Sequence, residues 1–436
     1  MRFSRAYLAP MLVLSLASGA AFAAEAPPKL SEDKPVTLQQ CIEYALAQHA
    51  SVLSAEQQAK SSKAEITRAQ ANFMPRITAE SGYTGSGGQG IINKDGAREN
   101  TYSTSTVSTI GITENFWDGG KTQAAVREAK ASARAAIAGV DLARQNRALT
   151  VTRAYFSALL TKRLADIAAQ TVTSSEEQLK LIQARVDTGD GAKVDVYPVE
   201  VQLANAKLAK LQADNDARVA ATNLRNAVGL DRGPELKLVD VSAPEIKVDP
   251  LDDCIKCALQ TRPEIVQSTA DVDSASAGLN LAKLQALPIP TASAGFGRNL
   301  SGADYDQKWS FGIGLSLNIF DGGASQAGIQ SAKARLESAK LADEQSRKDI
   351  SAEVESAYLN LTSSLERLSA SKPNVELAKM NLDVAREKYA QGLGIPLEIV
   401  NAQVSYADAQ ASNVRALYDC YVARAQLDIA MGKRGY

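Results

Sequence analysis

The chain has 436 residues, of which 45% are hydrophobic and 22% are charged, and its formal net charge is −1. This composition excludes a chain that is disordered throughout, and the near-neutral charge excludes a protein drawn to nucleic acid by charge alone. His49 is the single histidine, which excludes most histidine-based catalysis and histidine-rich metal sites. We therefore expect a folded protein that is not an enzyme and that holds no metal or other cofactor.

The N-terminus has the three parts of a secretory signal peptide. Arg2 and Arg5 precede an apolar run, and Ala21-Phe22-Ala23 has the small-x-small form of a signal-peptidase site. The pattern predicts a signal peptide over residues 1–23 and a mature chain outside the cytoplasm. The first cysteine is Cys41, too far on for a lipoprotein signal, and no later apolar run reaches the roughly 18 residues of a membrane-spanning helix.

The rest of the chain contains one plan twice, which decides the architecture before local propensity does. The sequence TLQQCIEYAL, starting at Thr37, matches PLDDCIKCAL, starting at Pro250, at an offset of 213 residues. Further on, FWDGG matches IFDGG at an offset of 203, so the first copy carries ten extra residues, which we assign to an exposed loop over 85–100. The predicted division is an N-terminal extension (24–36), a first repeat (37–229), a linker (230–249), a second repeat (250–432) and a C-terminal tail (433–436).

Each repeat is predicted to form a helix, a two-strand hairpin, a very long helix, a short turn and a return helix. The long helices are predicted over residues 121–187 and 324–390, which are rich in alanine and contain a single proline, Pro373. At 1.5 Å per residue, such a helix is a rod of about 100 Å. Alanine on the facing stripe lets such rods pack as a coiled-coil-like wall, although a solvated coiled-coil stalk would explain them equally well.

Four strands are predicted, over residues 76–84, 102–116, 289–300 and 309–320. Only the last alternates strictly, with large apolar residues at odd positions and small or polar residues at even positions. Open sheet edges cannot exist in lipid and bacterial membrane barrels begin at eight strands, so these strands could span a membrane only in a barrel shared by two, three or four chains. A small soluble sheet with one buried face is the alternative. The predicted lipid-facing residues are Trp309, Phe311, Ile313, Leu315, Leu317 and Ile319.

Together these features resemble the TolC family of outer-membrane efflux and secretion proteins, over nearly the whole mature chain. The resemblance is carried by the duplicated plan, the FWDGG and IFDGG junctions, the Arg262-Pro263-Glu264 stretch, and an acidic residue six positions after a glycine at each helix turn. It implies a mainly α fold with membrane β structure. The long helices would form an α-helical barrel in the periplasm, and the four strands of each chain would contribute to a twelve-stranded β-barrel shared by a homotrimer.

The same resemblance implies a function and a set of partners. The chain would be a passive, gated exit duct in the outer membrane, extending into the periplasm, for a tripartite efflux pump or a type I secretion system. Its partners would be a periplasmic adaptor (membrane fusion) protein, an inner-membrane pump of the RND or ABC type, and outer-membrane lipid, with no nucleic acid. A soluble periplasmic coiled-coil scaffold or adaptor is the alternative function.

The two DGG sequences are predicted to be the junctions where a strand becomes a long helix. Asp118 and Asp321 are suited to cap the helix by accepting hydrogen bonds from free amides, and the glycines that follow permit a sharp change of backbone direction. These glycines are Gly119, Gly120, Gly322 and Gly323.

The opposite ends of the long helices are the tips that, in the family, close the tunnel and contact the adaptor. The implied gate includes a hydrogen bond between Tyr389 and Asp195, although an acid in the first turn of a return helix is also favoured by the helix dipole alone. Two positions depart from the family pattern, because Gly394 replaces an arginine and Asn401 replaces a second acid. The predicted gate residues are Asp195, Tyr389, Glu398 and Asn401, and the predicted adaptor contacts are Gly189, Gly191, Gly392, Leu393 and Gly394.

Four cysteines, Cys41, Cys254, Cys257 and Cys420, would lie in an oxidising compartment that permits pairing. The Cys254-x-x-Cys257 motif falls inside a predicted amphipathic helix rather than between a strand and a helix, so a redox role is disfavoured. A bridge within one helical turn, pairing between distant cysteines, and burial as small apolar residues remain open.

Overall fold

The computed structural model describes residues 35–92, 98–113, 117–189, 191–240, 248–285, 287–298, 307–316 and 319–433. Two short helices, a β-hairpin, a long helix and a return helix follow one another in the first half, and the second half repeats this order. The first half contains α1 (Leu38–Gln48), α2 (Ala50–Gln70), β1 (Arg76–Ile92), β2 (Arg98–Thr113), α3 (Lys121–Asp187) and α4 (Val196–Val228). The second half contains α5 (Leu251–Thr261), α6 (Pro263–Gln285), β3 (Ile289–Arg298), β4 (Gln307–Ser316), α7 (Ala324–Ala390) and α8 (Pro396–Ala430).

The long helices α3 and α7 have the bounds that the sequence predicts, 67 residues each. Near the strands, α3 lies between α2 and α6, and α6 packs in turn on α7. Toward the other end, α3 packs on α4 and α8, and α8 packs on α7. The helices therefore form an elongated wall about 100 Å long. In the described part of the chain, no helix is both long and apolar enough to cross a membrane.

The helical segment before each hairpin is broken into two helices, where the sequence predicts one. His49 ends α1 with φ −72° and ψ 131°, and Arg262 ends α5 with φ −69° and ψ 133°. Pro263 disfavours the helical conformation at Arg262 by steric contact with the preceding residue. At the first break, the Ser51 amide donates to the His49 imidazole Nδ1 at 3.1 Å, so the single histidine caps α2.

The first hairpin is longer than predicted. The predicted loop is wrong at residues 85–92 and 98–100, which are strand, and residues 93–97 lie outside the described residues. Gly85 pairs with Thr104 and Gln89 pairs with Asn100, so β1 and β2 reach 17 and 16 residues, against 10 each for β3 and β4. Antiparallel pairing is made by backbone groups and needs no side-chain alternation, so a Gly- and Ser-rich sequence continues the ladder. The extra residues lengthen the hairpin instead of forming a loop. Residues 114–116, 299–300 and 317–318, which the sequence assigns to strands, lie outside the described residues.

Among the described residues, apolar side chains are buried in three separate clusters along the wall instead of in one globular core. The first joins α1, α3, α4 and α8 around Tyr155, whose hydroxyl donates to the carbonyls of Val36 at 3.1 Å and Val239 at 2.6 Å. The second joins α5, α7 and α8. The third, which we call the tip cluster, lies where the helical hairpins end; its members are Ile182, Val199, Leu382, Ala385, Tyr389, Ile399, Val400 and Ala402.

The four cysteines are free thiols in this chain. Cys41, Cys254 and Cys420 are buried, and Cys257 is half-buried. Burial raises the pKa of Cys41 to about 12 and raises the pKa of Cys254 and Cys420 as well. A thiol that stays protonated is a poor nucleophile, so three of the four behave as small apolar residues.

Candidate functional sites at the two ends of the long helices

Each long helix and its return helix form a helical hairpin, α3 with α4 and α7 with α8, and we call the turn between the two helices the tip. Both tips contain a Gly-x-Gly sequence that directly follows the turn-side end of the long helix. Gly189 and Gly392 have φ of 84° and 76°, the left-handed region that residues with a side chain rarely adopt. At Gly191 and Gly394 the backbone passes close to the end of the preceding helix, which leaves little room for a side chain. A Cβ at either position would lie 3.2 Å from an atom of that helix. This crowding fits the absence at position 394 of the arginine that the family pattern has there.

Large apolar side chains are exposed around the two turns. Leu393 is 78% exposed, and it is the one member of this group that the sequence singled out. Exposed apolar patches mark surfaces that contact a partner. The signal for the others was the apolar residue next to each turn in the sequences KVDVY and GIPLEI. The exposed apolar residues at the tips are Val194, Tyr197, Leu393, Ile395 and Leu397.

Arg185, near the end of α3, connects the first helical hairpin to the second. Its guanidinium donates to the carbonyl oxygens of Tyr389 and Ala390, at 2.7 Å each, and lies 4.7 Å from the centre of the Tyr389 ring. These carbonyls belong to the last turn of α7, where the helix has free acceptors and partial negative charge. Sequence reasoning missed Arg185, because a cation in the last turn of a helix is common and its partners here are backbone atoms.

The predicted gate residues lie near these turns on the single chain. Tyr389 is buried in the tip cluster, and Asp195 is half-buried at the start of α4. Glu398 and Asn401 are exposed in the first two turns of α8. Within the described chain, no hydrogen bond joins Tyr389 to Asp195, because the Tyr389 ring packs into the tip cluster beneath Arg185.

At the opposite end, each DGG junction turns a strand into a long helix through an aspartate. The Asp118 carboxylate accepts from the amides of Gly120 at 2.9 Å and Thr122 at 2.6 Å. Asp321 accepts from the amides of Gly323 at 3.0 Å and Ser325 at 2.9 Å. The aspartates therefore satisfy free amides of the first turn, as the sequence suggests, although the residue in the N-cap position is the second glycine.

The junction glycines allow the sharp turn of the backbone, and the junction hydrogen bonds lower the pKa of the two aspartates. Gly119, Gly120, Gly322 and Gly323 have φ between 68° and 90°, which allows the abrupt turn. Partial burial acts to raise the pKa of Asp118, but the hydrogen bonds from Thr122 and Gly120 outweigh it and hold that pKa below its usual value. The Asp321 pKa is also lowered, chiefly by the hydrogen bond from the Ser325 side chain.

The apolar face of β4 is exposed on the single chain. Trp309 is 80% exposed and Ile313 is 75% exposed, and Phe311 and Leu315 are similar. Leu317 lies outside the described residues. Ile319 is exposed as well, but it follows β4 and does not belong to it.

Further exposed apolar residues gather at the strand ends, next to the junctions, and were not singled out in the sequence. Their signal was position, since each lies within a few residues of a strand end. These residues are Phe73, Met74, Trp117, Leu287 and Phe320. With the face of β4, they give the strand end of the molecule a large apolar surface.

A family model described as "Outer membrane efflux protein" matches residues 41–230 and 254–433. The two matched segments cover most of the chain and coincide with its two structural halves. The chain therefore belongs to the outer membrane efflux protein family, the TolC-like family that its sequence resembles.

Individual relatives agree with this assignment. The chain is 26% identical to nodulation protein T of Rhizobium leguminosarum bv. trifolii over 91% of this chain and 85% of that protein. It is 25% identical to the alkaline protease secretion protein AprF of Pseudomonas aeruginosa, over 75% and 70% of the two chains. Among solved structures, the Campylobacter jejuni CmeC outer membrane channel superposes with a TM-score of 0.80 at 15% identity, over 91% of this chain and 85% of that one. The fold is that of TolC-like outer membrane channels.

Proposed function

We propose that three copies of this chain form one duct, in which twelve strands close a single β-barrel in the outer membrane and the long helices continue as a tunnel through the periplasm. Residues 1–23 direct export of the chain and are removed. The duct is passive, and a periplasmic adaptor recruits it to an inner-membrane pump of the RND or ABC type. The pump supplies the energy for transport.

The exposed face of β4 carries this proposal. On a single chain, Trp309 and Ile313 would be in water, and among the described residues each hairpin forms a sheet of two strands. An apolar face with open edges is unfavourable in water, and the open edges are unfavourable in lipid. Closing the strands of several chains into one barrel removes both problems, because the edges pair and the apolar face contacts lipid.

The hairpin tips are the proposed contact with the adaptor. Leu393 and Ile395 project from the second tip and Val194 from the first, and all three are exposed on the single chain. Gly189 and Gly392 hold the turns narrow, so that a partner with apolar side chains can approach the backbone closely. The predicted adaptor contacts Gly191, Leu393 and Gly394 belong to this surface.

We propose that the gate combines the contact of Arg185 between the two helical hairpins with two rings of charged side chains. In a trimer, Asp195 and Glu398 would each form a ring of three carboxylates, which favours cations in a narrow mouth and weakens packing of the tips by repulsion. Arg185 opposes this repulsion by bonding the two hairpins of one chain to each other. At position 401, where the family pattern has a second acid, the three Asn401 side chains of a trimer would form an uncharged ring.

Two classes of cargo fit the family. The family description names efflux, for which we propose small compounds as cargo, and the name of the relative AprF points to secretion of a protein. We assign the choice between them to the pump, because a passive duct moves what its partner delivers. A tripartite efflux pump is the first candidate, and a type I secretion system is the second.

Membrane fractionation distinguishes the duct from a soluble coiled-coil scaffold or adaptor, which would have the same long helices. The duct is expected in the outer-membrane fraction after washing with high salt and with alkaline carbonate, and it should dissolve only in detergent. A scaffold would be released by either wash. Release by carbonate with the helices still folded would overturn the proposal.

A further inference from the structure

A basic groove runs along α3 just below the first DGG junction. It has a volume of about 630 Å³ and is formed by α2, α3 and α6. Four cationic side chains line it together with the single carboxylate of Asp273, which gives a net charge of +3. The four cations are Lys63, Arg127, Lys130 and Arg134.

Three of these cations have no anionic partner among the residues that the structure describes. Arg134 pairs with Asp273 at 2.7 Å, whereas Lys63, Arg127 and Lys130 make no ion pair within the described chain. The groove also has apolar walls, which include Ile66 and the exposed Ile137. A cationic rim over an apolar wall is suited to a molecule that has both an anionic group and a hydrocarbon part.

The second repeat shows that the fold does not need this charge. At the repeat offset of 203 residues, Arg127, Lys130 and Arg134 correspond to Gln330, Lys333 and Glu337. The equivalent helix α7 has the same length and the same kind of start, although these three positions carry no net charge. The basic groove is therefore a property of one repeat and calls for an explanation other than helix formation.

The groove leads toward the strand end of the molecule. A second cavity of about 380 Å³ shares Arg127 and Asn280 with it, adds Lys283, and reaches Gly119 and Gly120 of the junction. Arg127 is six residues into α3, about 9 Å along the helix axis. Side chains on a helix lean toward its N-terminus, so the cations of α3 lean toward the junction.

We propose that the basic groove binds the phosphate headgroup of an anionic phospholipid from the periplasmic leaflet of the outer membrane. This inference rests on the proposed function, which puts the junction at the membrane surface. Arginine binds phosphate through a planar fork, and lysine provides a point charge. Basic pockets at the edge of a membrane bind anionic headgroups in this way, with a gain of about fivefold in affinity for each cation.

The test uses the full-length mature protein, purified in a neutral detergent and stripped of lipid. Dioleoylphosphatidylglycerol, dioleoylphosphatidylcholine and inorganic phosphate are titrated separately, and bound ligand is counted by native mass spectrometry. The variant Lys63→Gln/Arg127→Gln/Lys130→Gln removes the three unpaired cations. Lys333→Gln is the matched control, because it removes an exposed lysine at the same depth in the second repeat.

We expect wild type and Lys333→Gln to prefer phosphatidylglycerol over phosphatidylcholine, and the triple variant to bind phosphatidylglycerol on the order of a hundredfold more weakly. Equal binding of the two lipids by wild type overturns the inference. Inorganic phosphate that competes as well as the lipid reduces the groove to a phosphate site and also overturns it. If the triple variant does not fold, the three single variants, each about fivefold weaker, replace it.

A further readout shows whether the cations face lipid or the lumen. If the triple variant changes the ion selectivity of the open channel but not its lipid binding, the cations line the lumen and the inference is wrong. Failure of the proposed function is separate, because a protein that carbonate releases from the membrane was never a duct. A protein that stays in the membrane without a lipid preference contradicts only the lipid site.

Discussion

Arg185 and Tyr389 join the two helical hairpins of the chain at their tips, 204 positions apart in the sequence. The guanidinium donates to the Tyr389 carbonyl at 2.7 Å and lies 4.7 Å from the centre of its ring, so one cation holds both the backbone end of α7 and its last aromatic side chain. Because Tyr389 is also a member of the tip cluster, this contact ties the end of α3 to the apolar packing behind both turns.

Replacing Arg185 by glutamine should loosen the tips. The change removes two charge-assisted hydrogen bonds and the cation–π contact. Because the site is partly exposed, we expect these contacts together to stabilise the packing of the two tips by about 2 kcal/mol. If the contact holds the gate closed, the ratio of open to closed channels rises by roughly thirtyfold, which single-channel recording in planar bilayers would detect. Lys388→Gln, at the equivalent position of the second repeat, should leave the conductance as it is. Equal opening of both variants would remove Arg185 from the gate.

Neutralising the tip acids should change selectivity more than opening. Asp195→Asn and Glu398→Gln each remove one proposed ring of three charges, so the preference of the channel for cations should fall, and it should fall furthest in the double variant. The measurement is the reversal potential in a salt gradient. Asp383→Asn removes an exposed carboxylate from α7 farther from the turn, and we expect no shift. A shift of the same size in this control would mean that the tip acids do not line the mouth.

The two faces of β4 should differ in their tolerance of charge. Ile313→Lys puts a cation on the face proposed to contact lipid, which costs about 2–4 kcal/mol near the middle of a bilayer, so assembly into the outer membrane should fail. Ser316→Lys and Gly312→Lys, on the other face, should assemble. Heat-modifiable mobility of the extracted protein on gels reports assembly. The opposite result would mean that the strand is turned the other way.

The first junction should contribute to stability in a pH-dependent way. Asp118→Asn weakens a cap of the kind worth about 1 kcal/mol at neutral pH. The pKa of Asp118 is lowered in the folded chain, so its stabilisation is present above the unfolded pKa and is lost as the pH falls through the folded pKa. Thermal unfolding in detergent should therefore separate wild type from the variant at pH 7, and the difference should shrink as the pH falls below the unfolded pKa and through the lowered folded pKa of Asp118. A constant difference over this range would exclude the carboxylate as the cause.

The long helices could be predicted from the sequence to the residue, because α3 and α7 are uninterrupted alanine-rich segments bounded by DGG on one side and Gly-x-Gly on the other. The first hairpin could not. Residues 85–92 are rich in glycine, and their apolar and polar side chains do not alternate. The pattern of side chains therefore could not predict the backbone pairing that extends β1.

The candidate sites divide in the same way. The DGG junctions could be predicted from the sequence, because an aspartate caps amides that are close to it in sequence. The contact of Arg185 could not be predicted, because its partners are carbonyls of a helix more than two hundred positions away. The basic groove takes its lining from α2, α3 and α6, and only the fold brings Lys63 next to Arg127 and Lys130.

The central claim is that three chains build one conducting duct. Its most direct test is to reconstitute the detergent-extracted protein, with its mass measured in the same preparation, into a planar bilayer and record single channels. The account predicts a particle of three chains and discrete conductance steps that the Arg185→Gln variant enlarges or prolongs. A folded monomer that leaves the bilayer silent, with Arg185→Gln silent as well, would contradict it.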